Sequence, residues 1–125
     1  MKERCWILVG DYRKGVWRVQ RRRPAAGEPA TVAFDWRWAL AREERCGDVV
    51  GFWHTHPPGA GTAPSARDVR TLQAWCSALG KPLLCVIGGS EDPAAYVFAD
   101  DESAGIPIGV PRRVAHGRWH VARQA

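Results

Sequence analysis

The chain has 125 residues, of which 46% are hydrophobic and 25% are charged, and its formal net charge is +5. This length predicts one domain that spans residues 1–125, and the composition excludes a disordered or collagen-like chain. No apolar run approaches the roughly 20 residues of a membrane helix, and the first residues lack the apolar segment of a signal peptide. We therefore expect a cytoplasmic protein with no membrane partner.

Short apolar runs, which predict strands, alternate along the chain with turns rich in glycine, proline and aspartate. The first two runs flank a glycine-bounded turn and predict a hairpin, whereas the prolines and glycine of 24–29 predict a loop. In chain order, the strand candidates are 4–9, 16–20, 30–34, 48–53, 82–87, 94–99 and 119–121.

Two segments of good helix formers, Trp36 to Cys46 and Ser65 to Leu79, predict helices. Asp35 is placed to cap the first helix, and Gly47 and Gly80 stand where the two helices should end. The second helix has apolar residues at three- and four-residue spacing, which predicts a stripe that faces a sheet. Together the elements predict an α/β (α+β) fold with a mixed, curved sheet flanked by helices.

The four cysteines form no C-x-x-C pair and lie in segments that resemble ordinary core elements, so we expect buried thiols in a reducing compartment. They are Cys5, Cys46, Cys76 and Cys85.

The densest basic cluster is the run from Arg21 to Arg23. It fits a solvated strand end, and an interaction with nucleic acid is the weaker alternative interpretation of the positive charge.

The most informative segment follows the strand candidate at 48–53. His54 and His56 stand two residues apart at a strand end, so both project to one side of the sheet. After a seven-residue loop, Ser65 and Asp68 begin the second helix, where the helix dipole favours a carboxylate. Ser65 with Asp68 also fits a purely structural capping box.

Two imidazoles and one carboxylate are a common catalytic zinc set that leaves one tetrahedral position for water. Bound zinc lowers the pKa of such a water to about 7 and polarises a carbonyl, so that an amide bond can be attacked. A nearby carboxylate is then needed as general base and acid. The spacing predicts one Zn²⁺ per chain, held by His54, His56 and Asp68.

His54-x-His56-Pro57, followed after seven residues by Ser65-x-x-Asp68, resembles the signature of the JAMM (MPN-type) zinc metalloproteases, in a compact prokaryotic form. The resemblance implies a JAMM/MPN, cytidine-deaminase-like fold and a deubiquitinase-like isopeptidase activity. It also implies that Ser65 helps to stabilise the oxyanion.

The segment from Glu3 to Gly10 is similar to the family's first-strand pattern Glu-x-x-Gly-x-Leu-x-Gly, with Trp6 at the place of the first glycine. This similarity implies that Glu3 is the general base. We prefer it to three other glutamates, and we interpret two C-terminal histidines, four residues apart, as surface or substrate-facing residues. These residues are Glu28, Glu43 and Glu44, and His116 and His120.

The resemblance implies cleavage after the C-terminus of a ubiquitin-like protein, in deconjugation or precursor processing, with the substrate tail in a groove beside the zinc, held by strand addition. A small sulfur-carrier conjugate is an alternative substrate. The loop His-x-His-Pro-Pro-Gly also resembles the RadC branch of the same fold, which has been linked to DNA. A scaffold without catalysis would be expected to lose metal ligands, and this chain keeps all of the matched positions. The sequence does not predict an oligomeric state.

Overall fold

The computed structural model describes residues 3–27, 34–57, 59–89, 93–99 and 105–122. In chain order the elements are β1 (Glu3–Arg13), β2 (Val16–Gly27), α1 (Trp36–Cys46), β3 (Val49–His54), α2 (Ala66–Leu79), β4 (Leu83–Ile87), β5 (Ala94–Phe98), β6 (Ile106–Gly109), β7 (Arg112–Ala115) and β8 (Arg118–Ala122). Neither helix is long and apolar enough to cross a membrane, and these are the helices of the described part of the chain.

The described strands form one sheet in the order β6-β5-β4-β3-β1-β2-β8-β7. Neighbouring strands are antiparallel except β3 and β4, which run parallel and are connected through α2. The sheet curls, so that β6 contacts β8 although the two strands are not paired, and β6 and β7 form its margins. The predicted mixed, curved sheet flanked by helices is confirmed.

Each face of the sheet has its own apolar core, because side chains alternate between the faces along a strand. Ile7, Phe52 and Cys85 pack with the buried stripe of α2 on the helix face. Leu8, Trp53 and many other buried residues fill the inside of the curl on the opposite face. A strand such as β3, buried along its whole length, is therefore apolar on both sides.

Both helices begin and end at the predicted caps. The Asp35 side chain accepts a hydrogen bond from the backbone N–H of Trp38, and Gly47 ends α1 with a left-handed φ of 66°. Ser65 caps α2, and Gly80 ends it with a φ of 70°. These positive φ angles favour glycine, since a Cβ would be strained there.

The predicted loop at 24–29 is wrong over residues 24–27, because β2 continues to Gly27. A bulge opposite β1 makes this continuation compatible with proline: Cys5 pairs with Ala25 and Ile7 with Arg22, which leaves Arg23 and Pro24 opposite a single residue. Arg23 takes a positive φ of 48° at the bulge. Proline is tolerated at bulges because no ladder hydrogen bond is required there.

The strands predicted at 30–34 and in the C-terminal tail have different outcomes. The strand candidate 30–34 lies outside the described residues except for Phe34, which is not in a strand. In the tail, β8 was predicted in part, whereas the short strands β6 and β7 were not predicted. Both are only four residues long, so their apolar pattern is too short to detect.

The four cysteines all lie in described segments, and no disulfide links them. Cys5, Cys76 and Cys85 are buried as predicted, but Cys46 is exposed in the last turn of α1, so the prediction is wrong at that position. The Cys76 thiol donates to the backbone carbonyl of Phe98 at 3.2 Å. Burial raises the pKa of the Cys5 thiol to about 11, which favours its protonated form.

An ion pair between α1 and the start of β3 makes the stability of the fold depend on pH. Arg42 donates through Nε and Nη2 to the two carboxylate oxygens of Asp48, at 2.8 and 2.7 Å. The hydrogen bond from Arg42 holds the pKa of Asp48 below its usual range, although burial opposes this. The stabilisation is complete above the unfolded-state pKa of about 3.9 and is lost as the pH falls through the lower folded-state value.

We therefore expect Arg42→Gln to lower the free energy of unfolding at neutral pH, and this difference from the unmodified protein to shrink in acid. Urea denaturation at neutral and acidic pH measures it. Arg45→Gln, at an exposed position of the same helix, is the matched control. A difference that persists at a pH below the folded-state pKa of Asp48 would contradict the assignment.

Candidate metal centre

The end of β3 places two imidazoles at the helix face of the sheet. His54 is the last residue of β3 and is only 8% exposed. It pairs with Cys5 of β1, so the two side chains share a face. The antiparallel register continues past β3, because the Thr55 N–H donates to the Arg4 carbonyl at 2.9 Å. Extended by one more pair, this register brings Glu3 opposite His56.

Asp68, on the first turn of α2, contacts both imidazoles. Its Oδ1 lies 2.9 Å from Nε2 of His54, and its Oδ2 lies 3.2 Å from Nε2 of His56. One nitrogen from each histidine and one oxygen of Asp68 all lie within 4.8 Å of one another. These three residues can therefore hold a metal ion.

Asp68 is fixed by a capping box at the start of α2. Its Oδ2 accepts from the backbone N–H of Ser65 at 2.8 Å, and its own N–H donates to Oγ of Ser65 at 3.1 Å. The structural interpretation of this pair is thus correct for the helix start. The capping box does not compete with metal binding, because Oδ1 of Asp68 stays directed to His54. In the box the Ser65 hydroxyl acts as an acceptor, so its proton is not used there.

The arrangement of lone pairs fits a cation. Nδ1 of His56 lies 3.0 Å from the Gly61 carbonyl, which requires a hydrogen on Nδ1. In the neutral ring, Nε2 of His56 then presents a lone pair to the Asp68 carboxylate, and only a proton or a cation between them makes this contact favourable. Nε2 of His54 is buried and, among the described residues, has no well-directed hydrogen bond. Two nitrogens and one carboxylate oxygen are a donor set that suits zinc.

The carboxyl of Asp68 is held in its charged form. Burial alone would raise its pKa, but the imidazole of His54 beside Oδ1 and the backbone N–H of Ser65 hold the pKa well below its usual range. A carboxylate ligand must be ionised to bind a metal. Asp68 is thus ready to act as a ligand at neutral pH.

The loop between β3 and α2 is attached to β5 by one side chain. Tyr96 donates from its hydroxyl to the Thr62 carbonyl at 3.0 Å. Thr62 follows Gly61, whose carbonyl orients His56. The Tyr96 hydroxyl is therefore bonded to the residue next to the one that orients the candidate ligand His56.

We expect Tyr96→Phe to lower the free energy of unfolding by about 1 kcal/mol, the typical contribution of one such hydrogen bond. The affinity for added Zn²⁺ should fall by less than roughly tenfold, because the substitution weakens the orientation of one candidate ligand and removes no ligand. Competition with a metal-sensitive dye measures the affinity. Tyr12→Phe, at a tyrosine that is 51% exposed, is the control, and an equal effect there would contradict the role of Tyr96.

Glu3 is the first residue of β1 and is held beside the candidate ligands by backbone pairing. Next to it, the Arg4 N–H donates to Oγ1 of Thr55 at 2.9 Å, in addition to the bond between the Thr55 N–H and the Arg4 carbonyl. The Thr55 side chain is thus directed to the β1 backbone and away from the ligands, as the alternation of side chains along a strand requires. This pair of hydrogen bonds between Arg4 and Thr55 was not predicted. Its only signal in the sequence was the small polar residue, Thr55, between the two histidines.

A cavity of about 770 Å³ brings the predicted site residues together. Its wall includes the candidate ligands and both residues with predicted catalytic roles, namely His54, His56, Asp68, Glu3 and Ser65. The same wall carries three aromatic residues that sequence reasoning did not select, Phe34, Trp36 and Trp75. Trp36 is 51% exposed at the start of α1. The only hint in the sequence was its content of seven tryptophans, which is high for this length.

The other acidic and imidazole candidates lie elsewhere. Glu43 forms an ion pair with Lys81 at 2.8 Å, and Glu44 is exposed on α1. Glu28 lies outside the described residues. His116 is exposed and His120 belongs to β8, and neither lines the cavity.

A comparison of the sequence with known families agrees with this geometry. The family model for prokaryotic homologs of the JAB domain matches residues 1–103. Because the match covers most of the chain, the protein belongs to this family, the prokaryotic branch of the JAMM (MPN-type) proteins. No curated protein matches the chain. The family contains metal-dependent isopeptidases and also inactive members, so membership defines the fold and the kind of site, not a reaction.

Proposed function

We propose that this protein is a zinc-dependent metalloprotease or isopeptidase that cleaves after the C-terminus of a ubiquitin-like protein, in deconjugation or precursor processing. The observation that carries the proposal is the convergence of two imidazoles and an ionised carboxylate on a cavity that Glu3 also lines. An inactive member would have no need to keep a glutamate beside three residues that can hold a metal ion.

Each residue has a defined part in the proposed reaction. His54, His56 and Asp68 hold the zinc, which when bound supplies Lewis-acid polarisation of the scissile carbonyl and activation of water. Glu3 takes a proton from the attacking water and passes it to the leaving amine. The Ser65 hydroxyl donates to the carbonyl oxygen as negative charge develops there, because its proton is not used in the capping box.

The shape of the cavity suggests how a substrate is held. Phe34, Trp36 and Trp75 give its wall an apolar part that suits an extended peptide tail. The sequence suggested strand addition as the means of binding. Within the described sheet, however, β1 and β3 are both interior strands with two neighbours each, so we propose that side chains of the cavity hold the tail.

The test is mass-spectrometric analysis of a panel of ubiquitin-like and sulfur-carrier fusions incubated with the zinc-loaded protein, with a chelator control. Chelator-sensitive cleavage at one junction would support the proposal and identify the substrate class. If one zinc binds per chain and no fusion is cleaved, the proposed substrate class is wrong. Salt-sensitive binding of DNA without proteolysis would favour the RadC-like alternative.

A further inference from the structure

We propose that a cluster of three arginines and three tryptophans binds an acidic segment of a protein partner. The cluster consists of Arg4, Arg21, Arg113, Trp6, Trp53 and Trp119, and we call it the arginine–tryptophan cluster. It lies on the sheet face opposite the candidate metal centre, so this proposal goes beyond the proposed function and does not depend on it.

Strand register places these residues on one face. Trp6 pairs with Trp53 across β1 and β3, and Leu8, two residues further along β1, pairs with Arg21 of β2. Arg113 of β7 pairs with Trp119 of β8. Because paired side chains share a face and alternate residues return to it, the cluster forms where β1 begins and β3 ends.

Arg21 lies at the centre of the arginine–tryptophan cluster. Its guanidinium carbon is 4.3 Å from the ring centre of Trp6 and 5.0 Å from that of Trp53. It is 5.4 Å from the ring centre of Trp119. Aromatic faces attract a guanidinium, and burial strengthens that attraction. The rings therefore fix the guanidinium in place before any partner arrives.

No carboxylate neutralises this positive charge within the described residues. The ion pairs found there use other arginines, at Arg18, Arg23 and Arg42. Arg4 lies over the Trp6 ring at 5.0 Å, and Arg113 makes a long hydrogen bond, 3.4 Å, to the Ala115 carbonyl and a 3.4 Å contact with His116. Three like charges close together repel one another, and an anion would remove that repulsion.

Two buried nitrogens of the cluster also lack a hydrogen-bond acceptor within the described residues. Among the described residues, Nε of Arg21 and Nε1 of Trp119 are both buried without a hydrogen-bond partner, and Trp119 is only 5% exposed. A buried donor without a partner is unfavourable. Burial, and then the charges of Arg4 and Arg113, lower the pKa of the Arg21 guanidinium. A carboxylate bound to the terminal guanidinium nitrogens would supply that charge.

The geometry favours carboxylates of a protein over a nucleic acid. Trp53 and Trp119 are buried, and the partly exposed Trp6 ring is contacted by two guanidiniums and by the edge of Trp53, so no ring offers a free face for base stacking. The cluster is also compact, whereas tight nucleic-acid binding uses many phosphate contacts. Guanidinium forks match carboxylates closely, and Trp6 adds apolar contact for a peptide.

Intrinsic tryptophan fluorescence gives a direct test, since Trp6 lies in the cluster. The probes are a short peptide of glutamate and alanine, its glutamine counterpart, and a single-stranded oligonucleotide of equal charge, each titrated with and without chelator. Arg4→Gln and Arg113→Gln are the test variants, because Arg21 is packed on three rings and its substitution endangers the fold. Arg70→Gln, at an exposed position of α2, is the control with the same change in charge.

We expect the glutamate peptide to bind and the glutamine peptide not to bind, whether or not chelator is present. Arg4→Gln and Arg113→Gln should each weaken binding roughly tenfold, and Arg70→Gln should leave it unchanged. An equal loss with Arg70→Gln would show that only net charge matters and would overturn the proposal. Absence of binding, or tighter binding of the oligonucleotide at equal ionic strength, would overturn it as well.

Discussion

Glu3→Gln should stop turnover while the fold and the bound zinc stay unchanged. Glu3 lines the cavity that the candidate ligands share, and it is not one of the three residues whose ligand atoms converge. Glutamine has nearly the same size but cannot accept a proton from water. Loss of a general base typically slows a reaction roughly 10²- to 10⁴-fold.

The measurement is the rate of cleavage of whichever fusion the zinc-loaded protein cuts, with zinc content determined by mass spectrometry of the same samples. Glu44→Gln removes a glutamate at an exposed position of α1 and is the matched control. If Glu3→Gln cleaves as fast as the unmodified protein, Glu3 is not the general base. If it loses zinc, Glu3 contributes to metal binding.

His56→Ala should weaken zinc binding strongly. The ring of His56 is oriented by Gly61 and faces the Asp68 carboxylate, so its removal leaves one imidazole and one carboxylate. The free energy of zinc binding at a four-ligand site is about 10 to 16 kcal/mol, so one lost ligand should weaken binding roughly 10²- to 10³-fold. Metal content after dialysis and competition with a chelating dye measure this effect.

Asp68→Ala should lose zinc to a similar extent, but it also removes half of the capping box of α2. Ser65→Ala separates the two effects, because it removes the hydroxyl of the cap and no ligand. We expect Ser65→Ala to lower the free energy of unfolding by about 1 kcal/mol and to keep zinc. Zinc loss in Ser65→Ala would mean that the helix start, and not the carboxylate alone, controls metal binding.

The candidate ligands could be predicted because the signal is local. Two histidines at a strand end and a Ser-x-x-Asp at the next helix start are separated by one short loop, so their spacing in the sequence almost fixes their spacing in space. The helix caps at Asp35, Gly47 and Gly80 were predictable for the same reason, since each depends on a few neighbouring residues.

Features that depend on distant contacts could not be predicted. Pro24 and the alanines beside it predict a loop, and only the bulge at Arg23 and pairing with β1 make this segment a strand. Arg21 belongs to a run of three arginines that we interpreted as a solvated strand end. In the structure its guanidinium lies over three tryptophans from three different strands, a contact that no local pattern indicates.

The two margins of the sheet also affect how copies of the protein meet. β6 contains Pro107, which has no N–H to offer a further strand. β7 is exposed along its whole length and begins with Arg112 and Arg113, whose charges repel the same strand of another copy. Charged and proline-containing edge strands oppose edge-to-edge association. These features of β6 and β7 are therefore expected to disfavour the pairing of two sheets through their margins, the first step of fibrous aggregation.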